Sequence, residues 1–181
     1  VFTRETAQSL ASLWSAPLTS NGEVPKAGNA RMIEAFGNGL ANNPALSPDG
    51  RWLAFATDGI RVARYAPDQT GSVPAKTAQT VSGAGAKNPR WSKTGNQLFY
   101  LADDRIMVVN YSVKGDEFVA DPPRVWLEKT GGAVDFDVAP DGKRLLLVTP
   151  TEGRDSTNGD HHIVYVENFL DELRRRVSTK K

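Results

Sequence analysis

The chain has no cysteine and only two histidines among its 181 residues. Disulfides and thiolate chemistry are therefore excluded, while the absence of cysteine leaves the compartment open. No apolar run approaches the roughly 20 residues that span a bilayer as a helix. Neither sign of charge is in excess: 22 basic side chains face 21 acidic ones. That balance gives no general electrostatic ground for binding nucleic acid or anionic lipid. The opening, Val1-Phe2-Thr3-Arg4-Glu5, has none of the features of a secretory leader and reads as a chain cut from something longer.

What is present is a repeat. Asn43-Pro44-Ala45-Leu46-Ser47-Pro48-Asp49-Gly50-Arg51-Trp52-Leu53-Ala54-Phe55 is its first copy. Asn88-Pro89-Arg90-Trp91-Ser92-Lys93-Thr94-Gly95-Asn96-Gln97-Leu98-Phe99-Tyr100 is the second. Phe136-Asp137-Val138-Ala139-Pro140-Asp141-Gly142-Lys143-Arg144-Leu145-Leu146-Leu147 is the third, without the leading Asn-Pro. Ser47, Ser92 and Ala139 align, at spacings of 45 and 47. A period of that size with several strands per unit is that of propeller blades.

The expected fold is all-β: a partial β-propeller of about three to four antiparallel blades, followed by a short C-terminal helix. The units fall at 10–42 (an incomplete blade), 43–86, 87–129 and 130–167, with the helix at 168–177. Residues 1–9 are polar and weakly patterned, and Leu10 to Leu18 reads as one strand with imperfect alternation. Trp52 to Ala56 and Ile60 to Tyr65 form a strand pair around Asp58-Gly59. Ala78 to Val81 is an outer edge strand. Gln97 to Leu101 is taken as the inner-blade strand of the next unit, returning through Asp103-Asp104 into Arg105 to Tyr111. Gly115 and Asp116 turn again, and Pro122-Pro123 excludes a central strand because neither can donate to a ladder. Arg144 to Val148 is apolar enough to be buried on both faces, and Ile163 to Val166 is the next strand. In the helix, Phe169, Leu170, Leu173 and Val177 make one stripe behind an Asn168 cap.

The repeated turn explains its own residues. Pro48 and Pro140 preset φ, Asp49 and Asp141 bond nearby backbone, and Gly50 and Gly142 take positive φ cheaply. The second copy keeps only Gly95 of this set. Trp52 and Trp91 stand at different offsets, and each is expected to wedge between neighbouring blades rather than serve as a ligand platform. Each small sheet would bury two apolar faces against the sheets before and after it. A closed ring needs at least four blades, so either more chain completes it or two copies pair their open faces.

These repeats resemble the units of the TolB-like, WD40-like propeller superfamily, best over Ser47 to Phe55 and Ala139 to Leu145. From Asn88 to Val177 the order of Pro89-Arg90-Trp91-Ser92, Leu98-Phe99-Tyr100, Pro122-Pro123-Arg124-Val125 and the closing helix resembles the C-terminal end of propeller domains attached to bacterial serine/threonine protein kinases. The resemblance implies a sensing or protein-binding module, commonly extracytoplasmic or periplasmic, with no catalytic residue to carry over. Neither a glycine-rich ATP loop nor a His-Arg-Asp catalytic loop is present.

No candidate site rises above the fold as an enzyme's. His161-His162, adjacent on a strand, would point to opposite faces, so with Asp155 and Asp160 they read as a solvated strand start rather than a metal site. Asp135 and Asp137 share one face and read as rim carboxylates rather than an acid/base pair. Arg174-Arg175-Arg176 with Lys180-Lys181 reads as the solvated face of the helix. No catalytic residue, cofactor or metal is assigned. The expected contact residues are Asn43, Asn88, Arg90, Asp135 and Asp137, at inner-strand starts and loops. The expected function is noncatalytic binding of a protein, a peptide, or the rest of the same polypeptide. The alternatives are an accessory propeller of a serine hydrolase and a half ring completed by dimerisation.

Overall fold

A computed structural model describes residues 2–5, 11–20, 24–35, 42–66, 78–150 and 163–166. Within them the chain is all-β, with strands only and no helix. The expected helix at 168–177, both histidines, Asp155 and Asp160 lie outside the described residues.

The first sheet joins β1 (Phe2–Glu5), β2 (Ala11–Ser15) and β5 (Arg31–Ala35), with β2 central. The stretch before Leu10, polar and weakly patterned in sequence, thus contains a strand whose Phe2 stands opposite Trp14. The single strand expected over Leu10 to Leu18 is broken at Ala16-Pro17, because proline lacks the N–H a ladder needs. Beyond the break β3 (Leu18–Thr19) and β4 (Lys26–Ala27) form a small exposed ribbon.

The second sheet is a four-stranded meander of β6 (Asn42–Leu46), β7 (Trp52–Ala56), β8 (Ile60–Arg64) and β9 (Gln79–Thr80). The third runs β10 (Lys87–Trp91), β11 (Gln97–Ala102) and β12 (Arg105–Lys114). β12 is long enough to carry two partners in succession: Tyr111 to Lys114 pairs β13 (Glu117–Ala120), and Ile106 to Val108 pairs β14 (Arg124–Leu127). Asp121-Pro122-Pro123 separates these two pieces of one outer edge, as two consecutive non-donors require. The fourth sheet joins β15 (Asp135–Val138), β16 (Leu145–Val148) and β17 (Ile163–Val166).

The sheets stack in chain order, and β7 shows how. All five of its residues are buried. Successive side chains of a strand point to opposite faces. Trp52, Ala54 and Ala56 enter a core shared with Leu98, Tyr100 and Val109 of the third sheet. Leu53 and Phe55 enter a second core with Leu13 and Ile33 of the first. β11 divides itself the same way: Phe99 and Leu101 turn to a third core with Phe136, Val138 and Leu145 of the fourth sheet. Each fully buried Leu, Val or Phe contributes on the order of 1.5–3 kcal/mol, so these three interfaces carry the fold. Among the described residues no two-layer sandwich is formed.

The fourth sheet departs from expectation. Only Leu145 of β16 is buried, while Leu146, Leu147 and Val148 are half-buried. Among the described residues this sheet has a neighbour on one face alone, so its second face lacks the cover that β7 and β11 receive.

Candidate functional site

The sheets meet along one edge, that of β6, β10 and β15. Trp91 Nε1 donates to Ala45 O across β10 and β6 at 2.9 Å. Gln97 to Leu101, expected as the inner strand, belongs to β11, one place further out. The Asn-Pro segments lie within the inner strands themselves.

Asn-Pro has a structural meaning here. In β6 the pairing steps from Asn42↔Ala56 to Ala45↔Ala54, and in β10 from Lys87↔Leu101 to Arg90↔Phe99. Each inner strand holds one more residue than its partner, a β-bulge. Asn43 and Asn88 occupy the bulges with φ of 51° and 54°. Asparagine tolerates that left-handed conformation better than other non-glycine residues. β15, which lacks Asn-Pro, pairs with β16 without a register shift.

By the repeat alignment Asn43, Asn88 and Asp135 are the same position in successive units. Two of them bond to each other. The buried Asn88 amide donates to Asp135 Oδ1 at 2.9 Å and to Val134 O at 2.7 Å. Arg90 reaches the same Asp135 oxygen at 2.9 Å and also donates to Pro89 O at 3.1 Å. Phe136 N–H adds a local bond to Asp135 Oδ1 at 2.8 Å. Asn88, Arg90 and Asp135 therefore form one cluster that ties the third sheet to the fourth.

Asn43 and Asp137 do not join this cluster. Both are exposed; the Asp137 carboxylate accepts the Val138 N–H, at 2.9 Å. Asp135 and Asp137 do lie on one face of β15, opposite the buried Phe136 and Val138. Asp135 is committed to Asn88 and Arg90, so the two carboxylates do not make an acid/base pair.

The turn residues sit where the repeat places them. Gly50 N–H donates to Ser47 O at 2.9 Å and Gly142 N–H to Ala139 O at 2.8 Å, with φ of 70° and 65°. The carboxylate of Asp49 accepts the Arg51 N–H at 3.1 Å, and that of Asp141 the Lys143 N–H at 2.9 Å. Pro48 and Pro140 lead each turn. Gly95 differs: it stays out of the positive-φ region, and its N–H donates to Ser92 Oγ at 3.1 Å. The Ser92 hydroxyl also accepts the Thr94 N–H, at 3.3 Å.

These contacts set the acidity of the turn carboxylates. Burial opposes ionisation of Asp49, but the Ser47 hydroxyl, the Arg51 N–H and the Arg51 charge prevail and hold it below 3.8. The Lys143 N–H, with Arg144, likewise lowers Asp141. Asp104 is lowered by the N–H of Gly132 and the hydroxyl of Thr130, both at 2.7 Å. That last clamp closes the crossing from the third sheet to the fourth, where Lys129, Gly131 and Gly132 all have positive φ. Aspartates held ionised by backbone donors suit turns, not proton transfer at neutral pH. Among the described residues no group of three or more His, Asp or Glu is placed to hold a metal ion.

Sequence reasoning missed a further feature. The β12–β13 hairpin runs past the end of β11 and lies over the second sheet. Phe118 packs on Trp52 at 5.3 Å, on Trp91 at 6.0 Å and on Tyr111 at 4.9 Å between ring centroids. The two tryptophans, at different repeat offsets, thus converge on one ring from opposite sheets. At the hairpin tip Asp116 pairs with Arg64 at 3.0 Å and Arg51 at 3.5 Å. Tyr111 and Phe118 flanking Gly115-Asp116 were the available signal.

No family model matches the sequence, and no curated protein matches it. Solved structures do. A Lactobacillus plantarum protein matches with a TM-score of 0.50 at 18% identity, over 90% of this chain and 53% of its own. A Bacteroides uniformis protein provisionally named a 6-phosphogluconolactonase matches at 0.49 and 16%, over 92% of this chain and 55% of its own. A Bacteroides fragilis protein of the same provisional name matches at 0.47 and 13%, with 92% and 55% covered. The chain spans about half the length of the solved structures it matches, at 53% of the first. At such identities the likeness concerns fold alone, and that fold is all-β and propeller-like.

Proposed function

We propose that this chain is a noncatalytic scaffold that binds a protein or peptide and supplies a run of blades to a propeller ring. The kinase-associated sensor modules it resembles in sequence are the nearest functional analogy, and an extracytoplasmic setting follows from the same analogy. The observation that carries this reading is the fate of the polar groups. Asp49, Asp104 and Asp141 are engaged by backbone N–H groups, and Asn88, Arg90 and Asp135 by each other. Asn43 and Asp137, at the same inner edge, are exposed and bridge to no neighbouring sheet among the described residues. They are the side chains left for a partner at the end of a propeller, where ligands commonly bind.

The test is selection of peptides from a random displayed library on the immobilised chain, followed by titration of the selected sequences. Peptides that bind the native chain and lose at least fivefold affinity to Asn43→Ala or Asp137→Ala support the reading. Selection of none, or affinities indifferent to both changes, counts against it. Turnover of 6-phosphogluconolactone by the purified chain would replace it with an enzymatic reading. Fold alone names no ligand.

A further inference from the structure

We draw no further inference here: the strongest candidate, the cleft of about 470 Å³ between the β12–β13 hairpin and the outer strands of the second sheet, has Asp116 on its rim shared by Arg51 and Arg64 and Glu117 in register opposite Lys114, and nothing in the structure shows what covers its apolar walls of Trp52, Val62 and Phe118.

Discussion

The side chain of Asn88 is hydrogen-bonded, at 2.9 Å, to Asp135, the residue that holds its own place one repeat later. A repeated position has become a seam: what is a bulge in one unit is the acceptor for the bulge before it. Asn88 does two things there, holding a left-handed backbone and donating twice.

The two roles separate by substitution. Asn88→Ala should cost about 2–4 kcal/mol, from two lost bonds in a buried site and a strained φ. Asn88→Gly removes the strain and should recover roughly 1 kcal/mol of that. Urea unfolding gives both numbers; an Asn88→Ala variant within about 0.5 kcal/mol of the parent would show the seam to be dispensable.

Phe118→Ala should be the most damaging change on the hairpin, at about 3–5 kcal/mol, because one ring touches Trp52, Trp91 and Tyr111. Tryptophan emission should shift to the red as Trp52 loses cover. Asp116→Ala, which removes only exposed ion pairs to Arg51 and Arg64, should cost less than about 1 kcal/mol. Reversal of that order would mean the tip, not the ring, fastens the hairpin.

Gly59 and Gly83 form a matched pair of tests. A Cβ on Gly59 would stand 2.5 Å from Gly83 O and 2.8 Å from Ser82 O, both backbone, whereas one on Gly83 meets nothing within 4 Å. Gly59→Ala should lower stability by roughly 1–3 kcal/mol, and Gly83→Ala should leave it nearly unchanged. Equal thermal midpoints for the two would contradict the close approach.

Acid should unfold the chain through its turns. Asp49, Asp58, Asp104 and Asp141 all have folded-state values below 3.8, so each binds its proton more weakly when folded. Their contribution is complete above about pH 4 to 5 and falls away as pH drops through and below 3.8. Asp104→Asn should flatten the midpoint-versus-pH curve in that acid limb while leaving its slope between pH 6 and 8 unaltered. An unchanged acid limb would remove Asp104 from the account.

The strand pairs and turns were legible because alternation and Pro-Asp-Gly act over a few residues. Trp52 to Ala56, the Gln79–Thr80 edge and the break at Pro122-Pro123 all follow from local rules. The inner strands did not, since Asn-Pro reads locally as a turn and becomes a bulge only when β7 or β11 lies alongside. β1 escaped for the same reason: its polar sequence takes strand form through pairing with β2. Of the expected contact residues, the bond of Asn88 and Arg90 to Asp135 needed the repeat to be folded in register. The convergence of Trp52 and Trp91 needed the Phe118 hairpin, which belongs to neither repeat motif.

The hairpin also makes the stack mechanically uneven. It straps the second sheet to the third with an aromatic buckle and two arginine ties, while the third and fourth are joined at their rim by Asn88, Arg90 and a threonine hydroxyl on Pro140 O. Of these two joints, the one between the third and fourth sheets should open first under tension, leaving the strapped pair intact.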